Sequence, residues 1–367
     1  MFEKHHVFTR HSNIINDKVS DFFASVCPRQ ICWELNTIQS LWAERQWKLI
    51  MKKGKKITIL GAGNVGASIA YTFTMHGLAS EIVLIDINFD KAKGEAMDII
   101  QGTAFCPPVN IYAGDYPQME GSDIVVITLG QARKPGQTRI DLAQSNVDII
   151  KSIAPNLVKY AHDSVFVIVS NPVDIITYAL LKFTGLPANH IIGTGTMLDS
   201  ARLRTALAEH VDMSPQSVHA YVFGEHGDSS MIPWSLTSIG GMSMTQYCEH
   251  VCEQHNQCGK VDLAKITEDV KTSGAKVIAL KGATYYAIAL SALRICDIIL
   301  RDSDAVVSVS SIMTGEYGIE DVCFSLPTVV GINGIKRVLA PPLLPDELEK
   351  LNASAELLKS TISELNI

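Results

Sequence analysis

Three glycines constrain this chain more than any other feature. Gly61, Gly63 and Gly66 stand in the order Gly61-Ala62-Gly63-Asn64-Val65-Gly66, after an apolar run at residues 57–60 and at the head of a segment with helical spacing, residues 65–76. A chain that turns this sharply from a buried strand into a helix needs residues without a Cβ. The helix it opens presents unpaired backbone N–H groups and the positive end of its dipole to the turn. An anion fits there, above all a pyrophosphate. Glycine-rich turns that bind nothing share the spacing, so the flanking pattern decides.

A second apolar run at residues 81–85 ends at Asp86, twenty residues after Gly66. A carboxylate placed there accepts the ribose hydroxyls of a dinucleotide and repels a 2′-phosphate, which favours NAD over NADP. A helix at 91–101, strands at 124–129 and 165–169, and a helix through 142–158 continue the alternation as a parallel sheet with crossover helices. From about residue 196 the pattern changes. Helices are expected at 200–210, 264–278 and 284–300, strands at 218–223, 306–312, 322–326 and 328–332, and a charged amphipathic helix from Pro345 on. The fold class is therefore α/β: a Rossmann doubly wound parallel sheet over 51–196, followed by an α+β catalytic domain over 197–367.

Residues 1–50 stand apart. They hold Trp33, Trp42 and Trp47, three of the four tryptophans, without a sustained period of two or 3.6. They lack the apolar core of a secretory signal, and Asp17, Asp21, Glu34 and Glu44 set them apart from an acid-poor presequence. Met51 directly precedes Lys52, Lys53, Gly54, Lys55 and Lys56, so translation can begin there; residues 1–50 are read as an extension, spurious or disordered. Eight cysteines scattered over 367 residues suit reduced thiols in a cytoplasm. Cys248, His250, Cys252, His255 and Cys258 are the types zinc takes, yet a second cysteine pair is missing and the stretch reads as a polar loop, so no metal is expected. No apolar run is long enough to span a membrane. A net charge of -7 gives no basic field for nucleic acid, so an anionic substrate needs a local cationic pocket.

Asp199 and Arg202 in the run Leu198-Asp199-Ser200-Ala201-Arg202, with His226 in Gly224-Glu225-His226-Gly227-Asp228, can supply such a pocket. The imidazole shuttles a proton, the carboxylate orients it, and the guanidinium anchors an anion. Beside a dinucleotide, this is proton plus hydride chemistry. Taken singly, each residue also has a plain structural reading: a hydrogen-bonding turn histidine and an i, i+3 helix pair.

Together with Ser170-Asn171-Pro172-Val173-Asp174 and the glycine fingerprint, these motifs resemble the L-lactate/malate dehydrogenase family, closest to its bacterial L-lactate members, from about Lys55 onward. The resemblance implies NAD as cofactor, a small 2-oxo or 2-hydroxy acid as substrate, and a homotetramer. Matching positions make His226 the proton donor and acceptor, Asp199 its partner and Arg139 the loop arginine that polarises the carbonyl. Arg202, Asn171 and Thr284 match substrate-binding positions. Gly61, Gly63, Asn64, Val65, Gly66, Asp86, Thr128, Gly130, Asn146, Ser170, Asn171 and Ile288 match cofactor-binding ones. Arg204 and His219 match the pair that binds fructose 1,6-bisphosphate between subunits.

One loop departs from the lactate pattern. Arg133, six residues before Arg139, occupies the substrate-discriminating position, where lactate enzymes typically have Gln and malate enzymes Arg; Gln137 stands where bacterial lactate enzymes usually have Glu. Seating a methyl gains about 0.8 kcal/mol, whereas burying an unpaired guanidinium costs several; a second substrate carboxylate would pair with Arg133. At the rim, Arg133 can instead extend into water and leave room for a methyl. Lys281-Gly282-Ala283-Thr284-Tyr285-Tyr286 resembles the lactate pattern. The expectation is L-lactate dehydrogenase, with malate dehydrogenase as the alternative and a non-catalytic NAD-binding protein as a remote one.

Overall fold

The computed structural model describes residues 54–131, 136, 138–252 and 261–367. The extension at 1–50, Arg133 and Gln137, and His255 and Cys258 of the cysteine–histidine cluster lie outside the described residues. In chain order come β1 (Lys56–Leu60), α1 (Asn64–Met75), β2 (Glu81–Ile85), α2 (Phe89–Gln101), β3 (Asn110–Ala113), β4 (Ile124–Ile127), α3 (Arg139–Ala161), β5 (Val165–Ile168), α4 (Val173–Thr184), β6 (Ile191–Gly193) and α5 (Met197–His210). Then follow β7 (Val218–His219), β8 (Ser238–Ile239), β9 (Met242–Ser243), α6 (Leu263–Lys281), α7 (Tyr286–Arg301), β10 (Ala305–Thr314), β11 (Glu320–Gly331), β12 (Gly334–Val338) and α8 (Pro345–Ser363).

The main sheet runs β12-β11-β10-β6-β5-β4-β1-β2-β3. From β3 to β6 all neighbours are parallel, and the order reverses between β1 and β4, where an open α/β sheet forms its ligand crevice. β4 and β5 are apolar end to end because both faces are covered. Period-two alternation sends Ile57 and Ile59 to the face packed by α1, α2 and α7, and Leu60, Val125 and Ile127 to the face packed by α3, α4 and α8. A third cluster joins α5 and α6 to the small sheet β7-β8-β9 through Leu203, Leu207, Ile239 and Val270.

Several elements differ from the expectation. β3 and β6 are short strands, and α4 completes a crossover that the sequence pattern leaves unmarked. The strands expected at 322–326 and 328–332 are one, β11, which passes through Pro327. Pro327 sits where β12 ends: its carbonyl accepts from Leu339 N at 2.7 Å, so the missing proline N–H costs only the last rung of that ladder. The expected strand at 218–223 is regular only at Val218–His219. Residues 244–252 are helical rather than loop, because Ser243 and Gln246 form a reciprocal cap and Met244 and Tyr247 are buried.

α8 closes one face of the sheet with Leu351, Ala355 and Leu358. Its first turn is fixed by Glu347, whose carboxylate accepts from Ser235 N and Oγ and from Leu344 N. The glycine turn has no slack: a Cβ on Gly66 would lie 1.8 Å from the Gly61 carbonyl oxygen. Gly66→Ala should therefore push α1 off β1 and lower stability by about 1–3 kcal/mol, read as a drop of a few degrees in Tm together with weaker NADH binding by fluorescence.

Candidate active site

The cradle begins where β1 ends. Gly61, at φ +100, donates its N–H to Ile85 O at 2.7 Å, tying the turn to β2. A side chain at Gly61 would strike the Thr128 hydroxyl, which itself donates to the carbonyls of Leu60 and Gly61. Thr128 is thus a buttress of the turn. Gly63 caps α1 with open space where its Cβ would be, and the first turn of α1 holds no acidic residue. A pyrophosphate fits: among the described residues no side chain caps the helix N-terminus, and no carboxylate stands in its first turn. Asp86 accepts from Ala62 N at 2.7 Å and Asn88 N at 2.8 Å, so its carboxylate is held beside the turn.

The nicotinamide half would lie further along the crevice. Asn146, buried on α3, accepts from Gln131 N at 2.9 Å and donates to Asn171 O at 2.7 Å. Its amide is spent on backbone, and Gly130 (φ +156) sits against it. Ser170 is buried after β5 and donates to Ile127 O at 3.2 Å. Asn171 follows it with an exposed side chain. Ile288 on α7 packs at the edge of the core, and Thr284 is half-buried just before α7.

His226 sits on the loop after β7. His226 Nδ1 is 2.5 Å from Asp199 Oδ2, and Arg202 Nη1 is 2.9 Å from Asp199 Oδ1, so one carboxylate serves both cations. The Asp199 and Arg202 side chains keep only 10% and 16% exposure, while the His226 ring keeps 27%. With Nδ1 engaged, Nε2 is the nitrogen that can meet a substrate. Burial pushes the Asp199 carboxyl up, but His226 and then Arg202 overcome it and hold the group below its usual range. For His226, burial lowers proton affinity, Asp199 and then Asp174 raise it, Arg202 opposes, and the balance lies above the ordinary value.

Contacts along the loop join the two halves. His226 N donates to Asp174 Oδ2 on α4 at 2.7 Å, and Glu225 N donates to the buried Ser354 hydroxyl of α8 at 3.0 Å. Ser229 Oγ bonds to Glu225 and lies 2.9 Å from Ser354 Oγ. Arg139, at the start of α3, pairs with Asp228 at 2.7 Å, both largely exposed. The structure thus gathers Arg139, Asp199, Arg202 and His226 around one region. Asp174, Glu225, Ser229 and Ser354 are supporting residues for which the sequence reading had no role.

Arg204 and His219 lie apart from these contacts and line one cavity of about 300 Å³ with Ala201, Leu290 and Val306. Arg204 Nε and Nη2 both donate to Pro215 O. Among the described residues no group of three or more His, Cys, Asp and Glu is placed to hold a metal ion, and no helix is long and apolar enough to cross a membrane.

The model of the lactate/malate dehydrogenase NAD binding domain matches residues 55–193, and that of the lactate/malate dehydrogenase alpha/beta C-terminal domain matches residues 196–366. The chain belongs to the lactate/malate dehydrogenase family. Within this family it is 48% identical over 315 residues to L-lactate dehydrogenase 1 of Clostridium acetobutylicum, covering 86% of this chain and 100% of that protein. It is also 48% identical to the L-lactate dehydrogenase of Acetivibrio thermocellus, covering 85% and 98%. Among solved structures, the ligand-bound minor L-lactate dehydrogenase of Enterococcus mundtii superposes with a TM-score of 0.82 at 38% identity, covering 85% of this chain and 99% of that one. The L-lactate dehydrogenase of Clostridium thermocellum gives 0.75 at 42%, covering 85% and 100%.

The pair's pH dependence follows from the two directions. His226, raised above 6.5, contributes stability that is complete below that value and lost as pH rises through its folded pKa. Asp199, lowered below 3.8, contributes stability present above that value and lost as pH falls through its folded pKa. Asp199→Asn should therefore remove the alkaline-side decline of Tm due to His226 and lower stability at pH 6 by about 3–5 kcal/mol, because a buried cation loses its partner. Calorimetry across pH 4–9 checks both.

Proposed function

We propose that this chain is a cytoplasmic, NAD-dependent L-lactate dehydrogenase that interconverts pyruvate and L-lactate. The observation that carries the reading is the single Asp199 carboxylate shared by His226 Nδ1 and Arg202 Nη1 in a chain that also carries the Gly61–Gly66 turn. The relatives named L-lactate dehydrogenase, at 44–48% identity, support the substrate.

Bound in the Gly61–Gly66 cradle, NADH supplies the hydride that the carbonyl carbon of pyruvate receives. His226, charged and steadied by Asp199, gives its Nε2 proton to the carbonyl oxygen and recovers one in the reverse direction. Arg202 fixes the substrate carboxylate and so its orientation. Arg139 leaves Asp228 to polarise the carbonyl, an exchange made easy because an exposed ion pair is weakly held. Asn171 and Thr284 line the substrate, and Ile288 backs the nicotinamide.

The same proposal includes a homotetramer with fructose 1,6-bisphosphate as its effector, supported by Arg204 and His219 sharing one cavity. Malate dehydrogenase is the second reading, favoured by Arg133 in the loop before Arg139. Steady-state rates with pyruvate and oxaloacetate, with and without fructose 1,6-bisphosphate, separate the two. Pyruvate should give the higher kcat/KM, and a preference for oxaloacetate overturns the lactate reading.

Two variants test the machinery. His226→Asn should lose about 10²–10⁴-fold in kcat while still binding NADH. Arg202→Lys gives up the planar fork that matches a carboxylate and should lower kcat/KM for pyruvate about 10–100-fold, the value of one charge-assisted hydrogen bond, chiefly through KM.

A further inference from the structure

The loop that carries His226 rests on a second carboxylate. Asp174, in the first turn of α4, is 2% exposed, and its Oδ2 accepts the backbone N–H of His226 at 2.7 Å. Its Oδ1 is buried and closes no hydrogen bond among the described residues. Interior carboxylates are costly when an oxygen goes unfilled, because burial favours the neutral form. A neutral acceptor would hold the loop amide without that cost. The charge at this position therefore needs an explanation of its own.

The groups around Asp174 supply one. His226 and Glu225 face it from the loop, Ser310 from β10 and Cys323 from β11. Burial, with Asp174 adding, pushes the Cys323 thiol well above its ordinary range, so it is neutral; Ser310 is neutral, and Glu225 bears the same sign as Asp174. Lys182 and Asp321, which also act on Cys323, pair with each other at 2.8 Å. Among these neighbours His226 is the group on which a negative charge at Asp174 has a favourable effect. Asp199 and Arg202 face the same imidazole from α5.

We propose that Asp174 is a positioning residue for proton transfer, a second carboxylate beneath His226 that holds the loop by its amide and stabilises the imidazolium by its charge, while Asp199 holds the ring nitrogen. This rests on His226 being the proton donor. Burial pushes the Asp174 carboxyl up to about 6, with Ser310 and His226 pulling the other way. It is thus mostly charged at pH 7 and mostly neutral at pH 5, so its support of the imidazolium is present in the neutral range and withdrawn in acid.

Asp174→Asn keeps the shape and an acceptor for the His226 amide but removes the charge. Pyruvate reduction needs the imidazolium and lactate oxidation the neutral ring, so the pH profiles of both directions should move with the His226 titration. The alkaline limb of kcat/KM for pyruvate should shift to lower pH by about half a unit to one unit, a three- to tenfold loss on that limb. The corresponding limb for lactate should shift its midpoint the same way, its alkaline plateau falling with the pyruvate limb because the overall equilibrium fixes the ratio of the two at each pH, and the variant should match the parent in pyruvate reduction below about pH 5, where Asp174 is mostly neutral. NMR titration of the His226 ring reads the same shift without turnover, and NADH binding reports folding. Should Asp174→Asn fail to fold, Ser310→Ala removes a buried hydroxyl that faces Asp174 without closing a hydrogen bond, leaves the charged carboxylate less favoured, and should shift both limbs in the same direction, by less. A loss of the same size at every pH, with unmoved limb midpoints and an unmoved ring titration, overturns the proposal and leaves Asp174 a structural residue. Full activity of His226→Asn would instead overturn the reading of the site on which this rests.

Discussion

Everything at the catalytic end of this molecule depends on one carboxylate removed from water. Asp199 is nearly sealed off on α5, and its two oxygens go to different cations, Oδ2 to the imidazole and Oδ1 to the guanidinium. Its charge survives burial because both partners are present. The converse also holds. An imidazole in this setting would shed its proton, and a guanidinium at 16% exposure would lack a counter-ion, unless the carboxylate stood between them. The three groups maintain each other's charge states, and a substrate anion that meets Arg202 enters a field already balanced.

Around that centre the scaffold is stiff for reasons of connectivity. The His226 loop is fixed from two independent elements, α4 through Asp174 and α8 through Ser354, and Gly224 is paired by backbone to Ser325 of β11. A Cβ on Gly224 would lie 2.7 Å from Ser354 Oγ, so the loop and helix meet at the closest distance a chain allows. Geometry at Nε2 is therefore inherited from three parts of the fold. Preorganisation of this kind spares the proposed proton donor the cost of being arranged at each turnover.

Much of this was legible in the residues. The glycine turn and Asp86 pointed to a dinucleotide crevice through their place between strand and helix, and the structure holds Asp86 to Ala62 beside that turn. Long strongly periodic helices appeared where expected, with ends extended by a turn. What escaped were elements defined by neighbours. β3 mixes polar and apolar residues and β6 has only three residues, so neither shows the apolar run that marks β4 and β5, and Pro327 reads as a break although β12 ends beside it. Asp174 lay inside a quoted motif yet carried no role, since nothing in sequence says that its carboxylate meets an amide 52 residues away. Ser354 did leave a trace: it falls on the stripe of Leu351, Ala355 and Leu358, where a polar residue on a buried face asks for a partner.

The reach of α8 also has a bearing on time. The cofactor turn is built from residues close in sequence, with α1 following β1 directly and Asp86 only 24 positions from Ala62. The histidine loop is not, for the hydroxyl that receives Glu225 N lies 129 residues downstream. A ribosome releases the first long before the second. Nascent chains can thus possess the glycine turn while the His226 loop still lacks its last tether, which arrives only when the α8 segment has emerged and docked.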